Sequence, residues 1–124
     1  MIRVKDLDKS IQFYGQVLGF KVNQRLDFDG FTLVYLGDGE SNFELELTHN
    51  HDNKNNYELG TGYGHLAVSV DDLATAHKNA ENSGSKPTPI KEFFKDGSLL
   101  AKFFFIQDPD GYKIEVLQRH GRYI

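Results

Sequence analysis

The sequence lacks several features that would assign it to a specialised class of protein. It contains no cysteine, which excludes a disulfide framework and thiolate chemistry. Its 14 basic residues are outnumbered by 18 acidic ones, whereas a general nucleic-acid-binding surface needs a basic excess. No apolar run approaches membrane-spanning length, and the first residues do not resemble a signal peptide. We therefore expect a cytoplasmic domain that binds neither nucleic acid nor membrane.

What is present suits one aromatic-rich core. The 124 residues are enough for one domain over 1–124 but not for two, and they include ten Phe and six Tyr. These large side chains supply apolar area even though only 39% of the residues are hydrophobic. The composition therefore predicts a single α+β domain.

The stretch at 103–118, FFFIQDPDGYKIEVLQ, is typical of a strand, a tight turn and a second strand. Its DPDG sequence has Pro and Gly at positions that favour a turn. Beyond the turn, Tyr112, Ile114 and Val116 alternate with more polar positions, which indicates a sheet with one buried face. Glu115 is thereby predicted in mid-strand, on the face opposite those three residues.

The order strand, helix, strand, strand, strand is predicted twice, in repeats covering about 1–50 and 64–118. In the first repeat we expect strands at 2–4, 20–26, 31–36 and 43–47, a helix between Asp6 and Gly19, and a loop at 49–56. In the second we expect strands at 64–70, 86–90, 99–106 and 112–118, and a helix between Asp72 and Gly84. Two such βαβββ repeats form a curved mixed sheet with the helices on its outer face.

The repeat is visible in the residues themselves. VKDL at 4–7 recurs as VDDL, 66 residues later, and FELEL at 43–47 aligns with YKIEV, 69 residues later. Glu46 and Glu115 are then equivalent positions on the open face of the sheet, which His65 shares. The equivalent of His65 in the first repeat falls two residues before Met1.

One His and two Glu on a concave face are suitable ligands for Zn²⁺, Ni²⁺, Co²⁺ or Mn²⁺. The ordinary state of any one of these side chains is simple solvation, which we prefer for Glu44. It is the matched register of Glu46 and Glu115, together with His65, that favours a metal site. His49 and His51 are expected to be loop residues rather than ligands.

Four stretches make the chain resemble glyoxalase I (lactoylglutathione lyase) of the vicinal-oxygen-chelate superfamily. They are IRVKDLDKSIQFYGQVLGF at 2–20, ELELTHN at 44–50, YELGTGYGHLAVSVDD at 57–72 and FIQDPDGYKIEVL at 105–117. The resemblance covers nearly the whole chain, and the last two stretches are its most specific part. It implies the glyoxalase/bleomycin-resistance-like fold and isomerisation of the methylglyoxal–glutathione hemithioacetal to S-lactoylglutathione.

The resemblance also implies residue roles. Glu46, His65 and Glu115 match three of the four metal ligands of the family, with Glu115 and Glu46 as the catalytic carboxylates. Arg3 and Asn50 match positions that bind the glutamyl end of glutathione, the co-substrate. The compact chain suits the Ni²⁺ or Co²⁺ type, with Zn²⁺ as a further candidate, and a homodimer with the site at its interface is implied.

Two departures from the family pattern bear on these expectations. The first His ligand is absent, and we expect that the natural protein begins earlier. Some relatives have an Arg where this sequence has Thr61, which leaves Lys95 and Lys102 as candidate cations for the glycine carboxylate of glutathione. The alternatives are another enzyme of the superfamily, such as an epimerase or thiol transferase, and a catalytically impaired binding form.

Overall fold

A computed structural model describes all residues, 1–124, and divides them into two units, Met1–Leu59 and Gly60–Ile124. Each unit has the predicted element order βαβββ. In the first these are β1 (Ile2–Arg3), α1 (Leu7–Leu18), β2 (Lys21–Phe28), β3 (Phe31–Gly37) and β4 (Leu45–Asn50). In the second they are β5 (Leu66–Val70), α2 (Leu73–Asn82), β6 (Lys91–Lys95), β7 (Ser98–Gln107) and β8 (Lys113–Gln118). Neither helix has the length and apolar character needed to cross a membrane.

Each unit builds one four-stranded mixed sheet. The strand orders are β1-β4-β3-β2 and β5-β8-β7-β6. In both sheets the first strand runs parallel to the last, and the remaining neighbours are antiparallel. The α+β class and the repeated unit are therefore confirmed, whereas the expectation of one domain over 1–124 stays a prediction.

The two helices begin in the same way. Asp6 and Asp72 both have extended backbone, and their carboxylates accept a hydrogen bond from the backbone N–H three residues later, at Lys9 and Thr75. Such caps satisfy donors that the first turn leaves unpaired. At its other end α1 stops at Gly19, whose φ of 71° lies in the left-handed region. Both caps and the Gly19 stop were predicted.

Each helix has a buried stripe at helical spacing. In α1 the stripe includes Leu7, Tyr14 and Val17, and in α2 it consists of Leu73, Ala76 and Ala80. The strands contribute the rest of the core from alternate positions, at Val34, Leu36, Leu45 and Leu47 in the first unit and Phe104, Ile106, Ile114 and Val116 in the second. The alternation leaves the intervening strand residues, including Glu46 and Glu115, on the other face of each sheet.

The internal repeat is confirmed in its register. Ile2 lies opposite Leu47 in the β1–β4 pair, and Val68 lies opposite Val116 in the β5–β8 pair. These partners are separated by the 66 and 69 residues that the sequence comparison predicted. Glu46 and Glu115, each one residue before its paired position, are therefore equivalent in the two sheets.

The predicted strand at 86–90 is wrong. That segment contains Pro87 and Pro89, which cannot donate to a ladder. The strand is instead β6, at residues predicted to be a flexible connection, and it joins β7 through Asp96 and Gly97, whose φ values are 52° and 79°. An Asp-Gly pair with positive φ at both residues is a favoured two-residue hairpin turn.

The limits of β4 also differ from the prediction. The strand runs from Leu45 to Asn50, so His49 and Asn50 are strand residues rather than loop residues. Its partner β3 begins at Phe31, directly opposite Asn50, and this pairing keeps the end of β4 extended. At the other end, Phe43 lies outside the strand with 54% of its surface exposed.

Candidate active site

The hairpin that carries Glu115 is held by the buried Asp108. Its carboxylate Oδ1 accepts hydrogen bonds of 2.9 Å from the backbone N–H groups of Asp110 and Tyr112. Gly111 has a φ of 90°, a conformation that glycine adopts without strain. The turn therefore fixes where β8 begins, and with it the face on which Glu115 lies.

Glu115 lies in the middle of the second sheet. It is opposite Phe105 on β7 and Ala67 on β5, and only 17% of its side-chain surface is exposed. Its neighbours Ile114 and Val116 are buried on the helix side, as the alternation predicted. A carboxylate so placed can accept protons or metal ions from one side only.

His65 lies beside Glu115. Its Nε2 atom is 3.3 Å from Glu115 Oε2, and its ring meets Phe105 edge to face with the ring centroids 5.4 Å apart. The side chain remains 42% exposed. An imidazole nitrogen and a carboxylate oxygen at this separation are a suitable pair of donors for Ni²⁺, Co²⁺ or Zn²⁺.

Tyr63 joins the segment before β5 to β8. Its hydroxyl donates to the Lys113 carbonyl at 2.8 Å and accepts from the Leu66 N–H at 3.2 Å. Burial raises the pKa of Tyr63, so the hydroxyl keeps its proton at neutral pH. The sequence interpretation missed this role, although Tyr63 lies inside the GTGYGH stretch, two residues before His65.

Glu46 is the equivalent carboxylate of the first sheet, but its neighbours are hydroxyl groups. It lies opposite Tyr35 on β3, and the Thr48 hydroxyl donates to its Oε1 at 3.1 Å. Desolvation, and next a hydrogen bond with Glu46, raise the pKa of Tyr35. Glu46 therefore has two hydroxyl neighbours that stabilise its charged form.

Arg3 and Asn50 share the sheet face of Glu46. Arg3 is paired with Thr48, which lies between Glu46 and Asn50 on the same face of β4. The Asn50 Nδ2 atom donates to the Tyr57 hydroxyl at 3.1 Å. The first unit thus brings together a guanidinium, an amide and a carboxylate, the groups predicted for substrate and metal binding.

The predicted site residues are therefore divided between the units. The first unit contains Arg3, Glu46 and Asn50, and the second contains the His65–Glu115 pair. Neither unit by itself contains three His, Asp or Glu side chains arranged to hold a metal ion.

The two candidate cations of the second unit differ in their surroundings. Lys102 on β7 has its Nζ 3.3 Å from the Glu92 carboxylate, whereas Lys95 lies at the exposed end of β6. Part of the charge of Lys102 is therefore already balanced by a neighbouring acid.

Comparison with known proteins gives consistent matches over nearly the whole chain. A family model described as Glyoxalase/Bleomycin resistance protein/Dioxygenase superfamily matches residues 1–116. The chain is 43% identical over 122 residues to a lactoylglutathione lyase of Haemophilus influenzae, covering 95% of this chain and 88% of that one.

Two solved structures extend these matches to three dimensions. Glyoxalase I from Zea mays superposes with a TM-score of 0.82 at 36% identity, over 96% of this chain, which spans 43% of the maize chain. The trypanothione-dependent glyoxalase I of Leishmania major gives a TM-score of 0.75 at 39% identity, over 95% of this chain and 82% of that one.

Proposed function

The chain belongs to the Glyoxalase/Bleomycin resistance protein/Dioxygenase superfamily, and we propose that it is a lactoylglutathione lyase acting in methylglyoxal detoxification. Its substrate is the hemithioacetal of methylglyoxal and glutathione, and its product is S-lactoylglutathione. Relatives that it matches over nearly their full length have this name. The observation in the structure that best supports the activity is the His65–Glu115 pair, with its two donor atoms 3.3 Å apart.

We propose that Glu46, His65 and Glu115 hold one divalent cation. Imidazole nitrogen and carboxylate oxygen suit Ni²⁺ or Co²⁺, which we favour, and also Zn²⁺. When bound, such an ion acts as a Lewis acid that polarises neighbouring oxygens of the substrate and makes the intervening C–H more acidic. The half-buried positions of Glu46 and Glu115 limit competition from water for these carboxylates.

Glu115 is proposed as the base that moves the proton. One of its Oε atoms removes the proton from the hydroxyl-bearing carbon of the hemithioacetal and returns it to the adjacent carbon, which completes the isomerisation without an oxidant. Phe105 lies opposite Glu115 and flanks His65, so one wall of the site is apolar. Excluding water there favours return of the proton to the substrate over its loss.

Arg3 and Asn50 are proposed to bind the glutamyl end of glutathione. A guanidinium can hold a carboxylate through two parallel hydrogen bonds, and an amide can add a donor and an acceptor. Both residues share the sheet face of Glu46, which supports a role at the same substrate. We also propose a cytoplasmic homodimer with the site at its interface, as the resemblance implies.

A thioester-forming assay with Ni²⁺-loaded protein tests the proposal. We expect turnover of the methylglyoxal–glutathione hemithioacetal, and loss of turnover after chelation that Ni²⁺ restores. The matching trypanothione and cysteine adducts measure the thiol preference. If the metal-loaded protein isomerises none of these adducts, the proposed activity is wrong, and turnover in an epimerase or thiol-transferase assay would then identify the alternative.

A further inference from the structure

Two histidines that the proposed reaction does not use lie together in the first unit. His49 is the penultimate residue of β4, and His51 follows the strand by one residue. Their ring centroids are 5.7 Å apart, with the ring planes inclined by 49°. We call them the imidazole pair. By strand alternation His49 lies on the face of β4 opposite to Glu46, so the pair is separate from the proposed Glu46 ligand.

Each ring of the pair has one nitrogen bound to the protein. The His49 Nδ1 atom is 3.3 Å from the Val4 carbonyl oxygen, which can only accept, so this nitrogen carries a hydrogen. The His51 Nε2 atom is 2.9 Å from the Thr32 hydroxyl oxygen. That hydroxyl donates its own hydrogen to Asp27 Oδ1 at 2.8 Å, so its oxygen accepts from His51.

The two other ring nitrogens, His49 Nε2 and His51 Nδ1, have no protein partner. In the neutral rings these are the nitrogens with an available lone pair, because the hydrogen of each ring is on the nitrogen that the protein binds. The hydrogen bonds thus select, in both rings, the tautomer that can ligate a metal.

The support behind His51 continues for two more residues. Thr32 is only 2% exposed, and Asp27 accepts two hydrogen bonds from the Arg25 guanidinium group at 3.1 and 3.2 Å. The Arg25 hydrogen bond is the main cause of a lowered Asp27 pKa, which keeps this acceptor charged. Metal-ligating histidines generally have such outer partners, which fix the ring and make it more basic.

The spacing also suits a shared ion. Two imidazoles bound through nitrogen at about 2.0–2.1 Å from one metal place their ring centres roughly 5–6 Å apart, close to the observed separation. The pair lines a cavity of about 470 Å³, which leaves room for water ligands, and Asp6 and Asp8 add negative charge to its wall. We propose that His49 and His51 form a second metal site, which takes a borderline divalent ion such as Ni²⁺, Cu²⁺ or Zn²⁺ and completes its coordination with water.

Titration of the metal-free full-length chain with Ni²⁺ alone, followed by calorimetry, tests this site. We expect two classes of binding site in the unmodified protein. His51→Ala and His49→Ala should each abolish one class, whereas His65→Ala should affect only the other. Paramagnetic Ni²⁺ should broaden the amide signals of residues 31–33 and 49–51 even in the His65→Ala protein, which keeps this test independent of the proposed function.

Substitutions at Thr32 separate ligation from general surface binding. Thr32→Val removes the hydroxyl at nearly constant volume and should weaken this class roughly 10-fold, whereas Thr32→Ser should restore it. His120→Ala, at an exposed histidine outside both sites, is the matched control and should change neither class. The proposal is overturned if the second class is absent from the unmodified protein, survives His51→Ala, or is lost equally in His120→Ala.

Discussion

The two halves of the chain place a glutamate at equivalent points of equivalent sheets but surround it differently. Glu115 has an imidazole 3.3 Å away and a phenyl ring opposite, whereas Glu46 has the hydroxyl groups of Thr48 and Tyr35. The backbone register is shared, so these differences come from the side chains alone. Duplication thus supplied two carboxylates, and divergence of their neighbours gave each one a different chemistry.

The largest expected effect distinguishes the two carboxylates directly. Glu115→Gln keeps the shape of the side chain but removes the proposed base, so we expect kcat to fall by about 10²- to 10⁴-fold with the fold unchanged. Glu46→Gln should lower kcat less, because it removes a proposed metal ligand rather than the base. Steady-state kinetics at saturating Ni²⁺ measures both, with the exposed Glu44→Gln as control. A larger loss in Glu46→Gln than in Glu115→Gln would reverse the assignment.

The next effect compares the neighbours of the two carboxylates. His65→Ala removes a proposed ligand and should abolish retention of Ni²⁺ after dialysis. Thr48→Val removes only the hydrogen bond to Glu46 and should weaken Ni²⁺ binding roughly 10-fold. Competition with a chelator of known affinity gives both values. Equal losses in the two variants would mean that the imidazole has no special part in metal binding.

Tyr63→Phe tests a contact that the second half has and that the first half was not predicted to need. The change removes a donor to the Lys113 carbonyl and an acceptor for the Leu66 N–H. At about 0.5–1.5 kcal/mol for each hydrogen bond, we expect a loss of about 1–2 kcal/mol in the free energy of unfolding. Because the segment it holds carries His65, Ni²⁺ affinity should also fall roughly 10-fold.

Urea unfolding and Ni²⁺ titration of Tyr63→Phe measure these two quantities. Tyr123→Phe, near the end of the chain, is the matched control and should change neither. Normal Ni²⁺ affinity in Tyr63→Phe together with the expected destabilisation would reduce Tyr63 to a purely structural residue.

The smallest effect compares the two helix caps. The backbone hydrogen bonds from Lys9 and Thr75 lower the pKa values of Asp6 and Asp72 below 3.8. A lowered folded-state pKa stabilises the fold above the unfolded value, and this contribution is lost as the pH falls through the folded-state pKa. Asp6→Asn and Asp72→Asn should therefore each flatten the dependence of the melting temperature on pH below 3.8.

Salt separates the two caps further. Asp6 also interacts with the Lys9 ammonium group at 3.5 Å, so its contribution should fall as salt is added, whereas that of Asp72 depends on Thr75 and should not. Melting curves at low and high ionic strength, recorded for both Asn variants, check this difference. The same salt response in both would show that the Lys9 interaction adds nothing.

Much of this arrangement could be predicted because it depends on local rules. The helix starts at Asp6 and Asp72, the stop at Gly19 and the buried alternation of Ile114 and Val116 follow from short patterns. The equivalence of Glu46 and Glu115 followed from comparing the repeats, which needs no three-dimensional information.

What was missed depends on partners distant in the sequence. The position of β6 was wrong because apolar character was weighed above the two prolines and the Asp-Gly turn. The end of β4 is set by its pairing with Phe31, and the role of Tyr63 depends on a carbonyl 50 residues away. Likewise, the imidazole pair was expected in a loop, and only Val4 and Thr32 reveal how its rings are held.

A crystal structure of the Ni²⁺-loaded protein, with the ion located by anomalous scattering, tests the central claim most directly. We expect one ion at about 2.0–2.2 Å from His65 Nε2 and from one carboxylate oxygen each of Glu46 and Glu115. A fully loaded protein in which no ion contacts all three of these side chains would contradict the account.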